Sequence, residues 1–308
     1  MADTITTNSL NYLGVLYQIG ADQTPFLNMI GGLSGGKVSN SRTFPVAQPW
    51  ALNSAAQPAI TENTSMTAPT AVTYARGQDT NVCQIFHKAV RVSYAKQAAI
   101  GELSGLSIEG TNNVRNEHDF QVAGSMKQMA KDFDYTCLNG VYQAPADADT
   151  AAKTRGIITA TATNAVAAGS ASLAKSHVQS LIRTMAGNGA QFDNMVLFCN
   201  AFQKQSLTDL YAYAPEDRNV GGVNIKQIET DFCMLGVVWA PSVPADSILI
   251  ADMSICAPVF HPVPEKGILF YEELAKTGAS ENGQLYMQAG IDYGPEEFHG
   301  KITGLATS

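Results

Sequence analysis

Phe120, Ala123, Met126, Ala130, Phe133 and Cys137 recur at steps of three or four residues, which is the spacing of one helical face. Glu117, Asp119, Gln121, Ser125, Gln128, Lys131 and Asp132 occupy the other side. The pattern predicts a helix over 112–138, started by Asn112 or Asn113, ended by Asn139-Gly140, and packed through its apolar stripe on a sheet of the same chain. At 1.5 Å per residue it would be roughly 38 Å long. Further on, Val178, Leu181, Ile182 and Met185 form the face of a second helix, with Ser172 as its cap and Gly187-Asn188-Gly189 as its stop. Asn200 caps a third, bearing Phe202, Leu207, Leu210 and Tyr211 and ending before Pro215. Short apolar runs at 195–199, 233–239 and 248–250 read as strands between these helices, so 172–262 is expected to be an α/β layer. Residues 147–171 are rich in Ala and Thr and read as a linker with one short strand or helix. Beyond Pro264, the stretches 268–271, 284–293 and 298–305 predict antiparallel strands, with turns at Gly278 and Gly294-Pro295. These strands are expected to pair with one another and cover the long helix.

The N-terminal third has a different texture. Leu10, Leu13, Tyr17 and Ile19 make a short amphipathic piece, broken by Gly20 and stopped by Thr24-Pro25, after which Phe26, Leu27, Met29 and Ile30 supply an apolar anchor. Past glycines 31, 32, 35 and 36 lie two extended segments, 38–46 and 72–96. The second of them places Val82, Gln84, Phe86, Val90, Val92 and Tyr94 at strand frequency. The expectation is a long two-stranded hairpin with a broad, irregular tip.

Between these segments, the 33 residues 43–75 carry one charge, Glu62, and in their middle only Trp50, Leu52, Ile60 and Met66 as bulky apolar groups. Such a stretch is too uncharged for a solvated tail. Ordering its backbone costs about 1–2 kcal/mol per residue, whereas each large side chain returns only about 1.5–3 kcal/mol on burial. The balance has to come from another protein surface. The stretch therefore reads as an arm ordered on neighbouring copies.

Composition extends this picture. Charged residues make up 15% of the 308, against about 25% in a typical domain. The shortfall fits an exterior largely buried between subunits, because interface cores are depleted in Lys, Glu and Asp. A net charge of −8 and the lack of any Lys/Arg run exclude a general nucleic-acid coat. No 18-residue apolar run spans a membrane, and polar residues 1–10 lack the basic and apolar regions of a secretory signal, so the chain is expected to stay in the cytosol where it is made. Cys83, Cys137, Cys199, Cys233 and Cys256 are odd in number and widely spaced, as reduced, buried thiols would be.

Candidate chemistry is sparse. Gly31-Gly32-Leu33-Ser34-Gly35-Gly36-Lys37 satisfies part of a phosphate loop, but Val38 stands where Ser or Thr should hold Mg²⁺, and Pro45 forbids the helix that should follow. A flexible hinge at the base of the hairpin, formed by Gly31, Gly32, Gly35 and Gly36, is the better reading. His87, His118, His177, His261 and His299 lack the spacing of a zinc site, and no nucleophile elbow is present. Glu272-Glu273 and Glu296-Glu297 are adjacent, so on strands each pair points to opposite faces and cannot act as an acid and base; these side chains are expected to be solvated or paired with another subunit. No cofactor, metal or catalytic residue is expected.

The order of these parts resembles the major capsid protein of tailed bacteriophages, a fold shared with encapsulin shells. The resemblance is most specific in Gln23-Thr24-Pro25-Phe26-Leu27-Asn28-Met29-Ile30-Gly31, followed by Arg42-Thr43-Phe44 and a neutral loop. It implies an α+β fold with an N-terminal arm (1–31), an extended hairpin loop (32–97), a peripheral domain (98–171, with a spine helix at 112–138, completed by 263–308) and an axial domain (172–262). It also implies a structural protein assembling into hexamers and pentamers of an icosahedral shell around double-stranded DNA, inside the host cytoplasm. A portal protein and a decoration protein are implied partners, and, since the chain begins directly with its arm, a separate scaffolding protein or none is implied. Some relatives crosslink a loop Lys to an Asn of a neighbour; nothing around Lys37, Lys88 or Lys96 marks the necessary set, so that chemistry is not expected. Pro25, Phe26, Leu27, Phe44, Trp50, Ile60 and Phe86 are the expected intersubunit anchors. The alternatives are an encapsulin-like compartment holding cargo and a nucleotide-binding enzyme working through 31–37. A tail or adhesion component is disfavoured by the α/β layer.

Overall fold

The computed structural model describes residues 23–33, 35–47, 50, 52–74, 76–98, 116–211 and 226–307. The amphipathic piece at 10–19 and the caps expected at Asn112 or Asn113 lie outside them. In chain order, α1 (Pro25–Met29) is followed by β1 (Lys37–Val38), β2 (Thr43–Ala47), α2 (Glu62–Ser65), β3 (Asp79–Val82), β4 (Gln84–Ser93) and α3 (Tyr94–Ala98). The long helix α4 (Glu117–Asn139) comes next, then α5 (Ile157–Ala160), β5 (Ala165–Ala167), α6 (Lys175–Gly187), β6 (Met195–Cys199) and α7 (Ala201–Tyr211). The chain continues through β7 (Gln227–Glu229), β8 (Met234–Trp239), β9 (Ile248–Asp252), β10 (Ala257–Phe260), β11 (Leu269–Glu273), β12 (Ser280–Asp292) and β13 (Gly300–Thr303).

Two sheets organise these elements. In the first, the 13-residue strand β12 is central: β10 and β11 pair antiparallel one after the other along one edge, β4 antiparallel along the other, and β1 adds to β10 in parallel. The second has the order β5-β13-β9-β6-β8-β7, with α6 packed against β13 and β5. Residues 300–303 were expected to pair with 284–293, yet β13 lies in the second sheet, antiparallel to β9 and parallel to β5. Both edges of β12 are already taken, so the last strand has to pair elsewhere. Gly300 lets α6 close on it, because a Cβ there would lie 2.6 Å from Met185 Sδ. Conversely, β10 belongs to the first sheet, so the α/β layer ends at β9 rather than at 262.

Helix α4 starts five residues later than expected, at the cap Asn116, whose Oδ1 accepts from the amides of His118 and Asp119. Met129, Phe133, Cys137 and Leu138 are buried, but Phe120 and Met126 of the predicted stripe are exposed. The buried arc rotates along the helix, because a straight rod crosses a twisted sheet: the first half turns Glu117, Gln121 and Val122 inward, and the second is also covered by α1 and α5. Helix α6 starts after Ala174 rather than at Ser172, and His177 Nδ1 accepts from the Ala174 amide. The Asn200 side chain donates to the Val243 carbonyl beside α7. The 147–171 segment holds both a short helix, α5, and a strand, β5. No helix among the described residues is long and apolar enough to cross a membrane.

Candidate assembly interface

Thr24-Pro25 opens α1, with proline in the first turn where its missing amide costs nothing. Phe26 and Leu27 then drop into the chain's own core. Phe26 meets Phe198 edge-on at 5.3 Å, and the Leu27 amide donates to Asp134 Oδ1 at 2.9 Å. Ser242 Oγ donates to the other oxygen of Asp134 at 2.7 Å, so one carboxylate ties α1, α4 and the loop after β8 together. Burial pushes the Asp134 carboxyl above its usual range, while these two donors pull it back.

The glycine segment that follows is packed. The Gly35 amide donates to Gly31 O at 2.9 Å, and a Cβ at Gly36 would strike the Pro258 carbonyl at 2.4 Å. Lys37 and Val38 pair with Val259 and Phe260, and Lys37 Nζ reaches Asp292 at 2.5 Å. Lys37 thus stands on a strand against a carboxylate, where a phosphate loop would need a helix start.

The hairpin is shorter than expected. Among the described residues only β2 and β3 pair with each other, plus one bridge from Trp50 to Arg76; β4 pairs instead with β12 over ten residues. Its alternation explains this, because Phe86, Val90 and Val92 face α4, with Phe86 against Phe133 at 5.4 Å. Ion pairs from Lys88 to Asp132 and Lys96 to Glu117 hold the same strand and its continuation to the helix. The root of the hairpin is fixed by Asn81, fully buried in β3. Its Nδ2 donates to the carbonyls of Arg155 and Ile291, and its Oδ1 accepts from the Arg155 and Val82 amides. Phe44 packs on Cys83 and Val259, and its ring fits because Gly290 has no side chain.

Of the seven expected intersubunit anchors, Phe26, Leu27, Phe44 and Phe86 are buried inside this chain, which leaves them no surface for a neighbour, and Pro25 is half-buried beside them. Trp50 and Ile60 stand apart: they are 60% and 69% exposed, and every described residue of 52–74 is exposed with them. Leu52, Met66, Val72 and Tyr74 complete an uncovered apolar set, with Trp50 edge-on to Tyr74 at 6.5 Å. Within this tip, Thr61 caps the short helix α2.

The described residues thus bury a well-packed core and leave an apolar tip uncovered. The model of one protein family, SU10 major capsid protein, matches residues 1–306. The chain belongs to that family. It is a bacteriophage major capsid protein, a structural subunit of the virion shell that assembles with itself. Solved structures agree on the fold. The cyanophage A-1(L) capsid subunit superposes with a TM-score of 0.66 at 11% identity, covering 98% of each chain. A capsid subunit of the native GTA particle gives 0.58 at 14% identity, over 99% of this chain and 96% of that one. The SrpI encapsulin of Synechococcus elongatus PCC 7942 gives 0.55 at 8% identity, over 94% of each. No curated protein matches in sequence.

Other titratable groups of the capsid protein serve its own fold. All five cysteines are free; burial pushes the thiols of Cys83 and Cys199 up to about 12 and raises those of Cys137 and Cys256 as well. His87 meets Gln284, His118 meets the Tyr271 hydroxyl, His261 meets the Ser39 carbonyl, and His299 is buried between the sheets. Glu296 was expected to be solvated or paired across subunits; instead it accepts from the Ala162 amide and from the amide and hydroxyl of Thr163. Glu272 accepts from Lys266 and Gln284. Asn81 and Asp134 were missed by sequence reasoning. Their signal was a lone amide in a strand of β-formers and a carboxylate next to Phe133 on a helix face.

Proposed function

We propose that the capsid protein forms the hexamers and pentamers of an icosahedral shell around double-stranded DNA, with the hairpin tip of each copy laid on a neighbour. Among the described residues nothing in the chain's own body covers the tip, and that observation carries the reading. Burying six large side chains gains roughly 10 kcal/mol gross, and the cost of ordering and association leaves only part of it. Such a modest net gain per contact suits subunits that dock, detach and correct before the shell closes. Trp50 and Ile60 are the intersubunit anchors in this reading. The parts keep the roles of arm (1–31), extended loop (32–97), peripheral domain and axial domain, with β13 lent to the axial sheet.

The role is structural rather than catalytic. With a net charge of −8, the protein encloses DNA without reading its sequence. A portal, a separate scaffolding protein and a decoration protein are its further partners, and assembly takes place in the host cytoplasm. Replacing 52–74 by a short glycine-rich turn tests the reading. The expected product is a soluble, folded chain that forms no shells in electron micrographs; normal shells from that variant would overturn the proposal.

A further inference from the structure

We infer that the hairpin tip seats on one charge-free corner of a second copy, built where the end of α4 meets the loop that follows β8. Three segments are sewn together there. Asn139 Nδ2 donates to the Ser242 carbonyl at 2.6 Å, Asn200 Nδ2 to the Val243 carbonyl at 3.1 Å, and Gln203 Nε2 to the Ala245 carbonyl at 2.9 Å. Exposed large apolar side chains flank that loop: Val141 (68% exposed) and Tyr135 (58%) on the α4 side, and Phe202 and Trp239 (each 37%) at the start of α7 and the end of β8. Residues 135–146, 200–203 and 239–245 contain no Asp, Glu, Lys or Arg, in a chain that is 15% charged. Asp134, at their inner edge, is buried and already answered by the Leu27 amide and the Ser242 hydroxyl. Lys204 and Asp246 come next in sequence, at the border, where an interface keeps its charges.

Charge decides which occupant fits. The described tip, Trp50 and 52–74, has one charged side chain, Glu62, beside its exposed large apolar ones. Such a surface cannot answer charges set opposite it, and a charge desolvated without a partner costs more than an apolar contact returns. This sets two other exposed apolar surfaces aside. Along the exposed face of α4, Phe120 is followed at helical spacing by Lys127 and Lys131. Phe232 and Met234 sit next to Glu229 and Asp231, and Arg183 lines the same cavity as Asp231. Of the three, only the corner strands no charge. In its own copy the corner stays bare while every described residue of 52–74 is exposed, so the two surfaces can cover each other only between molecules. A contact of tip to corner joins unlike faces, and it passes from copy to copy until a ring closes. The placement rests on the function proposed above, in which the tip lies on a neighbour.

Crosslinking between copies in assembled shells tests the seat. Full-length Ala59→Cys chains, altered in the tip, are co-assembled with Ala144→Cys chains, altered at the corner, or with Ala123→Cys chains, altered on α4; all three positions are exposed. The shells are then treated with a short bismaleimide, and the parent supplies the blank, since its thiols are buried except for the half-buried Cys233. A covalent dimer is expected from the Ala59 and Ala144 mixture and none from the Ala59 and Ala123 mixture. Independently, Val141→Lys plants a charge in the seat and should lower shell yield about tenfold, with the unfolding transition of the dissociated chain unchanged. Crosslinks through position 123 but not 144, or none from either mixture in well-formed shells, would overturn the inference and leave the proposed function standing. A parental yield of shells from Val141→Lys would do the same. Failure of the parent to form shells would refute the function itself, and the seat with it.

Discussion

His299 is completely buried where the chain passes from β12 to β13, with Nε2 donating to the Tyr293 carbonyl at 2.5 Å and Nδ1 accepting from the Asp252 amide at 3.2 Å. Only the neutral ring can do both. Burial holds its pKa below the ordinary value, against the raising pull of the Tyr293 carbonyl, Asp252 and Glu296. The unfolded ring titrates near ~6.5, so below that pH the unfolded chain takes up protons that the folded chain refuses. This contribution to stability is complete above about pH 6.5 and is lost as pH falls towards the depressed folded value. The urea midpoint of the parent is therefore expected to drop between pH 7.5 and 5.5, whereas His299→Gln should start lower and vary less; an equally steep variant would refute the assignment. None of this was visible in the sequence, where His299 was only a histidine without metal-ligand spacing. Phe26 and Leu27 were recognised as anchors but given to the wrong partner, because an apolar side chain states that it will be buried and not by which copy.

At the scale of elements, periodicity located α4, α6, α7 and the strands β6, β8, β9, β11 and β12 to within a few residues. What it could not supply was pairing. Strand β4 reads equally well against 38–46 or against β12, and the choice is made by Phe86 and Val90 meeting a helix that begins more than twenty residues later. Close approaches by glycine were equally silent. Gly290 is the sharpest case, since a Cβ there would lie 2.7 Å from the Val82 carbonyl and 3.0 Å from the Phe44 ring. Gly290→Val is expected to destabilise by about 1–3 kcal/mol and to free the hairpin root for proteolysis. Gly124→Ala, inside α4 with nothing within 4 Å, should instead raise stability by about 0.5–1 kcal/mol. Thermal unfolding of the two variants, with opposite signs expected, checks the assignment of each site.

At the scale of the whole molecule, residues that hold the subunit together are separate from the exposed tip residues proposed to hold subunits to one another. Phe26→Ala should cost about 3–5 kcal/mol of subunit stability. Trp50→Ala with Ile60→Ala should leave the unfolding transition of the dissociated chain unchanged and abolish shells under the microscope; a shifted transition would mean the tip is part of the fold. The family was legible in the order of parts and in the Thr-Pro-Phe opening, because a neutral arm without a core has few other uses. The final strand carries a consequence for synthesis. β13 sits between β5 and β9, so every partner it joins has left the ribosome before it does. A growing chain holds β5 with no mate and β9 with one side bare, and the second sheet cannot zip up until translation has passed residue 303. Until those residues emerge, a nascent chain exposes two bare strand edges where β13 will later lie.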